Sequence, residues 1–162
     1  MQISKKIVLV GHFGVGKTSL VKQFIQEKFS EEYHTSIGVK VDKKTIKIDE
    51  IEVSLLIWDI AGEASLNTIP DSYLLGSHGT ILVFDYSREP TYGNMSEQLE
   101  IVKQKIPGKP IVLVGNKSDL VSDVERENII EEIGIEDILS SSAKLGEGVE
   151  ELFEKLARKI IA

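Results

Sequence analysis

The chain has 162 residues, with 19 Lys and Arg against 26 Asp and Glu, a net charge of −7 and 41% hydrophobic residues. That length suits one domain, residues 1–162, with a sizeable core. The acidic balance excludes non-specific attraction to nucleic acid or acidic lipid. The absence of cysteine excludes disulfides, thiolate–zinc sites and cysteine lipidation within these residues. Met1-Gln2-Ile3-Ser4-Lys5 resembles neither a signal peptide nor a myristoylation site, and no apolar run reaches membrane-spanning length. A soluble, cytoplasmic monomer is expected; a membrane anchor would need a tail beyond the last helix.

In chain order, Ile7-Val8-Leu9-Val10 is a continuous apolar run, the pattern of a buried parallel strand. Gly11 to Thr18 follows as G-x-x-x-x-G-K-T. Between a strand and a helix, such a loop curls its backbone N–H groups around an anion, and the helix N-terminus adds positive potential. Phe13, Gly14, Val15, Gly16, Lys17, Thr18 and Ser19 are therefore candidate phosphate-binding residues. Lys17 would reach the terminal phosphates, and the Thr18 hydroxyl would ligate Mg²⁺. Leu20, Val21, Phe24 and Ile25 share one face of the helix that opens here.

Residues 29–38 are polar and without period, which suits a loop. Val39, Val41, Ile46 and Ile48 predict an edge strand, Asp49-Glu50 a hairpin turn, and Ile51 to Asp59 the next strand. A second irregular region is expected from Ile60 to about Ser77. Thr80–Phe84 and Ile111–Val114 read as buried strands. Met95, Leu99, Val102 and Ile106 predict a helix between them, stopped by Pro107-Gly108. Ser122-x-x-Glu125 is a capping box opening a helix with Ile129, Ile130 and Ile133 on one face, and Gly134 ends it. A short strand at Ile138-Leu139 precedes a last helix carrying Val149, Leu152, Phe153, Leu156 and Ile160. Alternating strands and helices, with one hairpin, predict an α/β fold: a six-stranded, mostly parallel sheet covered by helices on both faces. Ligands of such sheets bind beyond the carboxyl ends of the strands.

Three motifs fall at such ends. Asp59-Ile60-Ala61-Gly62 follows a strand; Asp59 can hold Mg²⁺ and the Gly62 N–H can meet a terminal phosphate. Asn116-Lys117-Ser118-Asp119 follows another. A carboxylate at Asp119 accepts the paired N–H groups of a guanine edge, a pair that adenine lacks, so adenine would strand it. Asn116 would brace the loop, and the Lys117 stem would cover the base. In Ser142-Ala143-Lys144 the Ala143 N–H can meet the guanine carbonyl oxygen.

With these motifs in this order, the chain resembles the small GTPases of the Ras superfamily from end to end, within the wider class of P-loop NTPases. Ser36-Ile37-Gly38-Val39, Trp58-Asp59-Ile60-Ala61-Gly62 and Ser77-His78-Gly79 are most similar to the Rab branch. The resemblance implies binding of GTP and GDP with Mg²⁺, slow hydrolysis of GTP, and two loops that reorder when the γ-phosphate leaves. It also implies effector, exchange-factor and activator proteins acting through residues 30–41 and 58–76. It puts Phe29 against the guanine, Tyr33 over the γ-phosphate, and Val41, Trp58 and Tyr73 at an effector-facing apolar triad. It makes Ser36, 18 residues after Thr18 and 23 before Asp59, the metal ligand of the first loop, where the family has threonine. Lys17, Ser36, Gly62 and Glu63 are then the catalytic set, with Thr18, Ser36 and Asp59 on the metal. Two departures bear on rate. Glu63 stands where most relatives carry glutamine, and Phe13 stands where most carry a small residue. A GTP-binding module of the same fold with negligible hydrolysis is the alternative expectation. The three histidines, His12, His34 and His78, suggest packing or solvated roles rather than chemistry.

Overall fold

A computed structural model describes residues 1–26, 38–60 and 66–162. Among these residues, six strands form one sheet: β1 (Gln2–Gly11), β2 (Val39–Ile48), β3 (Ile51–Ile60), β4 (Gly79–Asp85), β5 (Ile111–Asn116) and β6 (Leu139–Ser140). Their spatial order is β2-β3-β1-β4-β5-β6. Only β2 runs antiparallel, joined to β3 by the Asp49-Glu50 turn, in which Asp49 takes φ 54°. The other pairings are parallel.

The helices are α1 (Lys17–Gln26), α2 (Asp71–Leu74), α3 (Met95–Lys105), α4 (Asp123–Ile133) and α5 (Val149–Ile161). Side chains alternate across a strand, so each central strand feeds two cores. Ile7, Leu9, Ile81, Val83, Val112 and Val114 pack with Leu20 and Phe24 of α1 and Phe153 of α5. Val8, Val10, Leu82, Phe84 and Leu113 pack on the other face with Leu74 of α2, Met95 and Val102 of α3, and partly buried Ile129, Ile130 and Ile133 of α4. The Phe24 and Phe153 rings stack with centroids 3.9 Å apart, fixing α1 against α5. Helices thus cover both faces of a mostly parallel sheet, as the sequence predicts.

The largest differences from the sequence reading lie at β1 and in residues 66–77. β1 starts at Gln2 because its first half pairs with β3 alone; that half is wetter and lacks the apolar run. Within residues 66–77, read as irregular, the structure has a 3₁₀ turn at Leu66–Thr68 and the single turn of α2. Leu66, Ile69 and Leu74 anchor these turns in the core, but each turn is too short to print a periodicity. No helix among the described residues is long and apolar enough to cross a membrane.

Candidate functional site

The carboxyl ends of β1, β3, β4 and β5 share one rim, and the sequence motifs meet there. The Gly11–Thr18 loop leaves β1 and enters α1 with Gly14 at φ 79° and Gly16 at φ 101°. Gly16 is obligatory for a second reason: a Cβ there would lie 2.3 Å from Asn116 Nδ2. Lys17 is buried, and its ammonium donates to the carbonyls of Gly11 and His12 at 3.1 and 3.3 Å. Burial lowers its pKa to about 8, against the attraction of Asp59. A desolvated cation facing mainly carbonyl oxygens is a ready partner for phosphate, whose charge would favour its protonated form. Val15 is buried beneath the loop, Ser19 is half-buried in the first turn of α1, and Phe13 stands 47% exposed.

Asp59 is 1% exposed at the end of β3. Its Oδ2 accepts the Thr18 hydroxyl at 2.6 Å, and its Oδ1 has no hydrogen-bond partner among the described residues. Burial raises the carboxyl pKa, while the Thr18 bond and the charges of Lys17 and Lys40 oppose that rise. A buried carboxylate with an unmatched oxygen, next to a hydroxyl whose proton is already committed, is a hard-oxygen donor set of the kind Mg²⁺ takes.

The second half of the site is tied to the first. Asn116, 1% exposed at the end of β5, donates from Nδ2 to the Val15 carbonyl at 3.0 Å. Its Oδ1 accepts the Ser141 hydroxyl at 3.0 Å and the Ala143 N–H at 3.2 Å. A guanine carbonyl seeking the Ala143 N–H would therefore share a donor already used by Asn116. Lys117 takes the left-handed conformation, φ 61°, and its ammonium donates to the Gly14 carbonyl at 2.8 Å. Asp119 lies exposed on the following turn and accepts the Ser142 hydroxyl at 2.8 Å. Ser142 in turn accepts the Leu145 N–H, closing the loop that presents Ala143 and exposed Lys144. Asparagine's paired donor and acceptor thus hold the Gly11–Thr18 loop and the loop carrying Ala143 to one frame.

Phe29, Tyr33, Ser36, Gly62 and Glu63 lie outside the described residues. Val41 is half exposed on β2 and pairs directly with Trp58, whose ring carries the Lys6 ammonium 3.6 Å from its centroid. Trp58 and Tyr73 are each partly buried against the core. Two residues that sequence reasoning missed complete the site. Asp85, fully buried at the end of β4, pairs with Lys117 at 3.0 Å. Arg88, just beyond it, donates to the Phe13 carbonyl at 2.9 Å. The signal for Asp85 was the one that revealed Asp59: a carboxylate ending a buried strand.

The sequence model described as "Ras: Ras family" matches residues 6–162. The chain is also 37% identical over 160 residues to the Ras-related protein SEC4 of Saccharomyces cerevisiae, an alignment covering 96% of this chain and 74% of that protein.

Proposed function

Because this chain belongs to the Ras family and is a small GTP-binding switch with GTPase activity, we propose that the rim described above is its guanine-nucleotide site, with the following roles. Lys17 and the N–H groups of residues 13–19 hold the phosphates. Asp119 reads the guanine edge, Asn116 and Lys117 support the base side, and Ser142, Ala143 and Lys144 close over it. Thr18 and Asp59, with Ser36, would hold Mg²⁺, which when bound would offset the charge of the phosphates. Phe29 and Tyr33 belong to the nucleotide contacts, and residues 30–41 and 58–76 are the surfaces for effectors, exchange factors and activators, in the Rab manner.

The observation that supports this most is Asn116, because its one side chain bridges the Val15 carbonyl and the Ala143 N–H. It thereby sets a base reader and a phosphate cradle at a fixed separation. Hydrolysis is slow in this reading. An ionised Glu63 accepts a hydrogen bond from water but lacks the amide donor of glutamine, and its charge opposes the γ-phosphate. Exposed Phe13 occupies space beside the loop that an activator's arginine would need; such a residue contributes about 10³–10⁵ in rate where it fits.

The test is competition binding with labelled GDP. GTP should displace it and ATP should not, and Asp119→Ala should lose guanine affinity by at least about a hundredfold, since the two N–H groups of the guanine edge lose a charged acceptor. Equal competition by ATP and GTP would remove the guanine assignment.

A further inference from the structure

The carbonyls of the phosphate loop are matched, one after another, by side-chain donors. Lys17 takes Gly11 and His12, Arg88 takes Phe13, Lys117 takes Gly14 and Asn116 takes Val15. Three of these donors belong to recognisable motifs. Arg88 belongs to none.

A trans peptide points its C=O and its N–H in opposite directions. Each donor that holds a carbonyl on the outside of the loop therefore aims the next residue's N–H at the inside. Asn116 aims Gly16 and Arg88 aims Gly14, while the Val15 N–H donates within the loop to the His12 carbonyl at 3.4 Å. Arg88 is itself fixed from behind. Its Nη1 lies 3.8 Å from Oδ2 of buried Asp85, the same oxygen that holds Lys117 at 3.0 Å. Asp85 Oδ1 is engaged by the Ser87 N–H and hydroxyl at 2.8 and 2.6 Å, which curves the chain to bring Arg88 back over the loop. Contact is close enough that a Cβ on Gly14 would lie 2.8 Å from Arg88 Nη1. A cation on the carbonyl side also polarises the peptide so that its N–H is a stronger donor.

We infer that Arg88 is a positioning residue of the nucleotide site: through the Phe13 carbonyl it fixes and strengthens the Gly14 N–H toward the phosphate chain, with Asp85 as its anchor. This rests on the reading of the loop as the phosphate cradle. The residue acts on the phosphates and not on the base, so its loss should discriminate between ligands that differ only in phosphate.

The experiment measures GDP and guanosine affinities, by titration calorimetry at saturating Mg²⁺, for the wild type, Arg88→Ala and Arg88→Lys. Arg88→Ala should weaken GDP about tenfold, the weight of one charge-assisted hydrogen bond, and leave guanosine unchanged. Arg88→Lys keeps a charged donor and should stay within about threefold of the wild type for GDP. GDP affinity unchanged in Arg88→Ala, or an equal loss for guanosine, overturns the inference, because the residue would then be idle or a general support. A wild type that binds GDP no more tightly than guanosine would instead overturn the phosphate cradle itself, whatever Arg88 does.

Discussion

His78 shows how one side chain carries a pH dependence. Its Nδ1 accepts the Lys6 N–H at 2.9 Å while its own backbone N–H donates to the Lys6 carbonyl at 2.8 Å, so the ring clasps the chain ahead of β4 to β1. Only an unprotonated Nδ1 can accept. Burial, and then the charges of Lys5 and Lys109, hold the imidazole below its ordinary 6.5. Between the folded and unfolded pKa values the unfolded chain binds more protons, so stability rises with pH there. The contribution is complete above about 6.5 and is lost as pH falls through the folded value. Melting temperatures at pH 7.5 and 5.0 for the wild type and His78→Asn should show a smaller pH-induced drop in the variant. Identical drops would mean that His78 takes no part. At this scale the sequence singled out residues wherever chemistry came with a spacing, namely Lys17 and Thr18 in their loop, Asn116 and Asp119 in theirs, and Asp59 at a strand end. It was silent on Arg88 and Asp85, whose roles exist only because β4 lies between β1 and β5.

Among the elements, α4 depends most on its ends. None of its residues is fully buried, and Ile129, Ile130 and Ile133 only lean on the core. Its N-terminus is a complete capping box: the Ser122 hydroxyl accepts the Glu125 N–H at 3.1 Å, and Glu125 reaches back to the Ser122 N–H at 3.4 Å. Gly134, at φ 71°, ends it. Ser122→Ala should cost about 1 kcal/mol, read as a lower urea midpoint with an unchanged slope. A midpoint equal to that of the wild type would mean that the cap contributes nothing to stability. Both boundaries of α4 were legible because capping is local chemistry written in adjacent residues. The single turn of α2 was not, because one turn with a single buried side chain, Leu74, carries no period.

Across the whole molecule, the alternation of strands and helices was enough to foresee one mostly parallel sheet between two helical layers. Which strand lies beside which is a matter of crossovers, and no residue states it; only the β2–β3 hairpin was local enough to read directly. That order leaves β2 at an edge with ten residues, the longest flank of the sheet that could recruit another chain. An edge of this kind is a template for aggregation. On a protein of net charge −7, this strand nevertheless carries Lys40, Lys43, Lys44 and Lys47. Lys44 is drawn over the Phe24 ring and to Glu150, while Lys40, Lys43 and Lys47 stay exposed. Two such edges approaching in register would bring like charges together, so colloidal behaviour is written into one flank of the sheet. Replacing Lys40, Lys43 and Lys47 by glutamine should speed the growth of scattering particles on storage at 37 °C. Unchanged growth would mean that something other than lysine repulsion keeps that flank unpaired.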